Sequence, residues 1–92
     1  MEDMVKINVR GTIFEEKRSV MTQVKDSALE AMFSRRHYVE EKDGAIVIQR
    51  DARIFKLVLD LLNKNDQELN ESDKKLVNIE LEYWGLPSLE YH

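Results

Sequence analysis

One stretch limits what this chain can fold into more than any other: residues 49–64, QRDARIFKLVLDLLNK. On a helical wheel of about 100° per residue its polar side chains Arg53, Lys56, Asp60, Asn63 and Lys64 collapse into one narrow stripe. Ile54, Phe55, Leu57, Val58, Leu59, Leu61 and Leu62 fill the rest of the circumference. A helix that is apolar over most of its surface needs neighbours on several sides, so it belongs inside a core. Directly before it, Ala45-Ile46-Val47-Ile48 reads as a strand, and Asp51 is placed to cap the first helical N–H groups. The expectation is a strand running straight into a buried helix.

The remaining sequence must supply the other walls of that core. Val5, Ile7 and Val9 alternate with Lys6, Asn8 and Arg10, the period of a half-buried strand. Gly11 interrupts it and Thr12–Glu16 resumes extended character, which predicts a tight hairpin. Ser19 is an expected N-cap for a short helix carrying Val20, Met21 and Val24. Ser27-x-x-Glu30 is a capping box before a second helix whose Leu29, Met32 and Phe33 share one face. Asp43-Gly44 signals a turn before Ala45–Ile48, with Tyr38-Val39 as its expected short partner strand. Asn70 or Ser72 caps a last helix bearing Leu76, Val77, Ile79, Leu81, Tyr83 and Trp84, stopped by Gly85-Leu86-Pro87. The predicted order, β-β-α-α-β-α-α, is that of an α+β domain with a small three-stranded sheet, a short hairpin and a cluster of helices.

Composition narrows the chemistry. With 92 residues, 42% of them hydrophobic and 35% charged, the chain is expected to be one ordered domain over residues 4–92. The absence of cysteine excludes a disulfide framework, a thiolate nucleophile and Cys-type zinc ligation. A formal charge of −4 argues against a nucleic-acid partner, which leaves a basic footprint. No apolar run approaches the roughly 18 residues of a membrane span, and the N-terminus lacks a basic signal-peptide start. A soluble, cytoplasmic protein without direct membrane insertion is expected. His37 and His92 are the only histidines, and no nucleophile motif or phosphate-binding glycine loop is present. Adjacent acids such as Glu15-Glu16 would point to opposite faces of a strand and make poor catalytic pairs. The expectation is a non-enzyme without cofactor or metal.

Four motifs in order then carry a resemblance. Val5-Lys6-Ile7-Asn8-Val9-Arg10-Gly11-Thr12-Ile13-Phe14, Asp26-Ser27-x-Leu29-x-x-Met32-Phe33-Ser34, Ile48-Gln49-Arg50-Asp51-x-x-x-Phe55-x-x-Val58-Leu59-x-x-Leu62 and Glu80-x-Glu82-Tyr83-Trp84-Gly85-Leu86 together resemble the potassium-channel tetramerisation branch of the BTB/POZ domains. Arg10 stands where that family commonly has the first of two glycines, Gln49 replaces Asp, Ala52 replaces Gly, and Arg35 replaces the Gly after Met-Phe-Ser. These departures bear on turn geometry and partner contacts rather than on the fold. The resemblance implies a homo-oligomerisation module, forming tetrameric or pentameric rings, and in some relatives an adaptor that recruits a cullin-type ubiquitin ligase. It also implies that the His/Cys zinc site of one channel subset has no counterpart in a chain without cysteine. Relatives often continue with a further helix.

On that resemblance, the residues expected at a subunit interface are Asn8, Arg10 and Thr12 on the strand-pair edge, and Arg50, Asp51, Arg53 and Phe55 at the start of the buried helix. Opposite charges there would set register and partner choice. The plainer alternative is that Asp51 only caps its own helix and both arginines are solvated. Of Tyr83 and Trp84, one ring is expected to pack inward and the other to mark a partner surface. Arg35-Arg36-His37 is read as a solvated helix exit.

Overall fold

The computed structural model of the chain describes residues 3–34, 40–65 and 68–89. Strand β1 (Met4–Val9) pairs antiparallel with β2 (Thr12–Lys17) in the register Val9↔Thr12, Ile7↔Phe14. Two residues join them, Arg10 at φ 49° and Gly11 at φ 96°. Positive φ at both positions is the mirror-image turn whose twist matches a hairpin, and the Asn8 side chain closes it by accepting the Gly11 N–H at 2.7 Å. Glycine adopts this geometry freely, whereas Arg10 carries the steric cost of the left-handed region.

Helix α1 (Arg18–Met21) follows β2 at once. It starts earlier than a Ser19 cap predicts, and Lys17 at its N-cap makes no side-chain cap bond. The reason is tertiary: the Arg18 N–H donates to the Asp3 carbonyl at 2.8 Å, while its guanidinium reaches the Asp3 carboxylate and the Phe33 carbonyl, each at 2.7 Å. These links fix Arg18 as the first helical residue; the helix ends at Met21, short of Val24. Helix α2 (Ala28–Phe33) begins as the capping pattern requires, with Ser27 Oγ accepting from Glu30 N–H at 3.0 Å.

Strands β3 (Glu41–Lys42) and β4 (Ala45–Ile48) meet through the Asp43-Gly44 turn. The expected partner strand at Tyr38-Val39 lies outside the described residues; Glu41–Lys42, extended by a Val47 N–H to Glu40 carbonyl bond, pairs with β4 in the described part. Because β4 also lies parallel to β1, with Val9↔Ile48 in register, the sheet has the mixed order β2-β1-β4-β3.

Helix α3 (Ala52–Leu62) opens under the Asp51 cap, whose Oδ1 accepts the Ile54 N–H at 3.0 Å. It buries Ile54, Phe55, Val58, Leu59 and Leu62 and leaves Arg53 and Lys56 exposed, with Asn63 and Lys64 exposed just past its end; Leu57 and Leu61 of the expected apolar circumference and Asp60 of the polar stripe are half-buried. Helix α4 (Glu71–Tyr83), capped by Asn70, packs along α3. Its end is stapled by two bonds, Gly85 N–H to Glu82 O at 3.1 Å and Leu86 N–H to Leu81 O at 2.8 Å, with Gly85 at φ 72°. Side chains Val5, Ile7, Val9, Ile46 and Ile48 on one sheet face close against Leu29 and Phe33 of α2, α3, and Val77, Leu81 and Trp84 of the α4 region, forming one core. On the other face Met4 and Ile13 stay exposed, so the helices cover one side of the sheet only.

Candidate functional site

Pairing β1 with β4 brings two distant parts of the sequence to one end of the molecule. The Arg10 N–H donates to the Ile48 carbonyl at 3.3 Å, so the β1–β2 turn sits beside the point where β4 leads into Gln49-Arg50-Asp51. Asn8, Arg10, Thr12, Arg50 and Asp51 therefore gather at one pole, and Arg53 follows within the first turn of α3. The members of that group are not equivalent. Asn8 is half-buried and spends its side-chain oxygen on the turn. Arg10 and Thr12 are exposed, and no ion pair of Arg10 is found among the described residues. Asp51 is exposed and uses one carboxylate oxygen as the helix cap.

The two arginines of the pole diverge. Arg50 turns inward: its Nε lies 3.2 and 3.1 Å from the two Glu80 oxygens and its Nη2 2.8 Å from Glu80 Oε1. Glu80 is 4% exposed on the inner side of α4, and its Oε2 also accepts the Trp84 indole N–H at 2.8 Å. The Arg50 guanidinium carbon lies 3.8 Å from the centre of the Tyr83 ring, a cation–π contact. The hydrogen bonds to Glu80 hold the Arg50 pKa above its ordinary value; partial burial opposes this, and the Glu80 charge reinforces it. Arg53, three residues on, is 61% exposed at its side chain and pairs with Asp73 at 3.0 Å; that hydrogen bond, then the Asp73 charge, raises its pKa.

Phe55, expected at the interface, does not belong to the surface of the pole. Its ring is 1% exposed, 5.8 Å from Phe14 and 6.0 Å from Trp84 between ring centres, so it is a core side chain and not part of the surface. The helical phase that puts Ile54, Val58 and Leu62 inward carries Phe55 with them. Tyr83 and Trp84 divide as expected in position: Trp84 is 2% exposed and Tyr83 55%, packed edge-on with centres 5.0 Å apart.

Sequence reasoning missed the role of Glu80. The signal was present: Val77, Glu80, Leu81 and Trp84 share the inner side of α4, so an acid occupied a core position four residues before an indole. A buried acid requires a cation, and Arg50 at the strand–helix junction supplies it. Reading Arg50 as solvated or partner-facing left that requirement unrecognised.

Among the described residues, no group of three or more His, Cys, Asp or Glu converges as a metal site, and no helix is long and apolar enough to cross a membrane. The pole offers charges and hydrogen-bonding groups on a rigid support, which suits recognition of another surface.

Comparison with known proteins agrees in this respect. A family profile described as "BTB/POZ domain" matches residues 5–92. The chain is 34% identical over 87 residues to BTB/POZ domain-containing protein KCTD18 of Bos taurus, covering 92% of this chain and 21% of that protein. It is 28% identical over 88 residues to KCTD3 of Homo sapiens (95% of this chain, 11% of that one) and 29% identical over 77 residues to KCTD21 of Mus musculus (83% and 30%). The chain thus spans less than a third of the length of these relatives. Fold, motifs and profile agree: this chain belongs to the BTB/POZ domain family, in its potassium-channel tetramerisation branch, a family of protein–protein interaction domains.

Proposed function

We propose that this domain assembles its parent protein into a homo-oligomer through the charged pole. The hairpin edge of one protomer (Asn8, Arg10, Thr12) meets the start of α3 in the next, with Arg10 facing Asp51 and Arg53 at the rim. The observation that carries this reading is Arg10. A left-handed turn position is occupied by an arginine, at a steric cost that glycine avoids, and its guanidinium has no ion-pair partner among the described residues. Asp51 supplies a complementary charge, because capping engages one of its two oxygens. Arg50 supports the contact indirectly by locking the strand–helix junction to α4 through Glu80. A head-to-tail contact between two different patches closes into a ring when its rotation permits.

Size-exclusion chromatography with light scattering tests this reading. Assembly at tens of micromolar is expected. Asp51→Lys is expected to weaken it more than Asp60→Lys on the outer stripe of α3, with Asp51→Asn, which keeps a helix cap, separating lost charge from lost capping. A monomeric wild-type chain, or equal effects at Asp51 and Asp60, would overturn it.

A further inference from the structure

The pole leaves a second surface unexplained. Helix α4 buries Val77, Glu80 and Leu81, yet on its outward side Leu76 is 45%, Ile79 60% and Tyr83 55% exposed. Their spacings of three and four residues align them as one apolar stripe. About half of each of these side chains stays open to solvent. Tyr83 is held by Arg50 on its ring face and by the Trp84 edge, so this exposed aromatic enters a contact with little freedom left to lose. Beside the stripe, on a single flank, stand the exposed Lys75 and Glu82. Seven residues, about 10.5 Å along the axis, separate them, too far to pair with each other. Neither forms an ion pair among the described residues.

This pattern is its own complement. When two copies of one helix pack antiparallel about a two-fold axis, equivalent flanks meet and residues equally far from the axis oppose one another. With the axis close to Ile79, Ile79 meets Ile79, and Leu76 with Tyr83 and Lys75 with Glu82 of the second copy, three and four residues from it, meet within one residue's rise of about 1.5 Å, twice over. A parallel pairing would set Lys75 and Glu82 against the opposite flank and lose both charge matches.

We propose that the outward face of α4 is a two-fold contact with a second copy of this chain, centred on Ile79 and keyed by reciprocal Lys75–Glu82 pairs. This contact is isologous and is independent of the head-to-tail pole, so the two can operate in one assembly. Helix axes about 8–10 Å apart place facing Cα atoms about 3.5–5.5 Å apart, which at the wider spacing is the span of a disulfide.

A chain without cysteine gives a clean background for the test. Ile79→Cys is introduced and oxidised, with Lys56→Cys on the outer face of α3 as the control. Disulfide-linked dimer is expected at least tenfold faster at position 79 than at position 56. Adding Lys75→Glu, or Glu82→Lys, is expected to slow it at least threefold, and the double exchange to restore it. Equal rates at positions 79 and 56 would overturn the contact. A charge exchange without effect, or a double exchange that fails to restore the rate, would overturn its register. The readout is local to residue 79, so a failure of assembly at the pole would not imitate either result.

Discussion

Replacing Arg50 and Arg53 separately by methionine is expected to give opposite outcomes, although they stand three residues apart and both form ion pairs with acids of α4. Arg50→Met removes the guanidinium contacts to both oxygens of a carboxylate that is 4% exposed, together with the stacking on Tyr83. Breaking a buried pair from one side costs roughly 3–5 kcal/mol, because the surviving charge is stranded. The Arg50 side chain keeps 28% exposure, and screening by water places the expected loss near the low end, about 3 kcal/mol. In a domain of this size 1 kcal/mol corresponds to about 4–8 °C, so the melting temperature should fall by roughly 12–24 °C. Arg53→Met breaks a solvent-exposed pair and should leave the melting curve close to wild type. Thermal and urea unfolding by circular dichroism, at one fixed protomer concentration, measures both. The double variant Arg50→Met/Glu80→Gln neutralises the stranded acid while keeping an acceptor for the Trp84 indole, and should recover more than half of the loss. Equal small shifts for Arg50→Met and Arg53→Met, or no recovery in the double variant, would refute the claim that a buried pair joins the strand–helix junction to α4.

Further outcomes follow from the same contacts. Because the Arg50 pKa is raised on folding, its contribution is fully present below its ordinary value and is lost only as pH rises through the still higher folded value, both well above pH 9.5; the stability difference between wild type and Arg50→Met should therefore be the same at pH 7 and pH 9.5 in urea titrations. Gly85→Ala places a Cβ 3.2 Å from the Ala28 nitrogen at φ 72°, whereas Gly11→Ala at φ 96° meets nothing within 4 Å. Both incur the left-handed penalty of roughly 1–2 kcal/mol, and only Gly85→Ala should exceed it, in the same unfolding assay. Arg10→Gly relieves a similar penalty, offset by about 0.5–1 kcal/mol of glycine entropy, so the fold should be unharmed or slightly more stable while assembly measured by light scattering weakens.

Local signals were sufficient wherever one short segment decided the outcome. Alternation placed β1, Asp43-Gly44 placed the second turn, and Ser27, Asp51 and Asn70 each capped the helix they preceded. Tertiary contacts decided the rest. The start of α1 is set by Asp3 and Phe33, each fifteen residues from Arg18, and no local cap pattern contains them. The apolar residues of α4 were legible as a set, but which of them face inward depends on α3, which claims Val77 and Leu81 and leaves Leu76 and Ile79 outside. The pole was legible as charged residues at the start of a buried helix. Its division into Arg50 for the interior, Asp51 for the cap and Arg53 for the surface depends on Glu80 and Asp73, twenty or more positions away.

The central claim is that the charged pole joins one protomer to the next. Sedimentation equilibrium of the wild-type chain and of Arg10→Glu, at tens of micromolar and moderate salt, tests it most directly. If Arg10 faces Asp51 of the next protomer as proposed, Arg10→Glu sets two acids against each other without touching the core. The account predicts a wild-type oligomer and an Arg10→Glu chain that dissociates at least tenfold more readily, with the two sharing one urea midpoint when unfolded at a dilution where both are monomeric. An Arg10→Glu chain that assembles as tightly as wild type would contradict it.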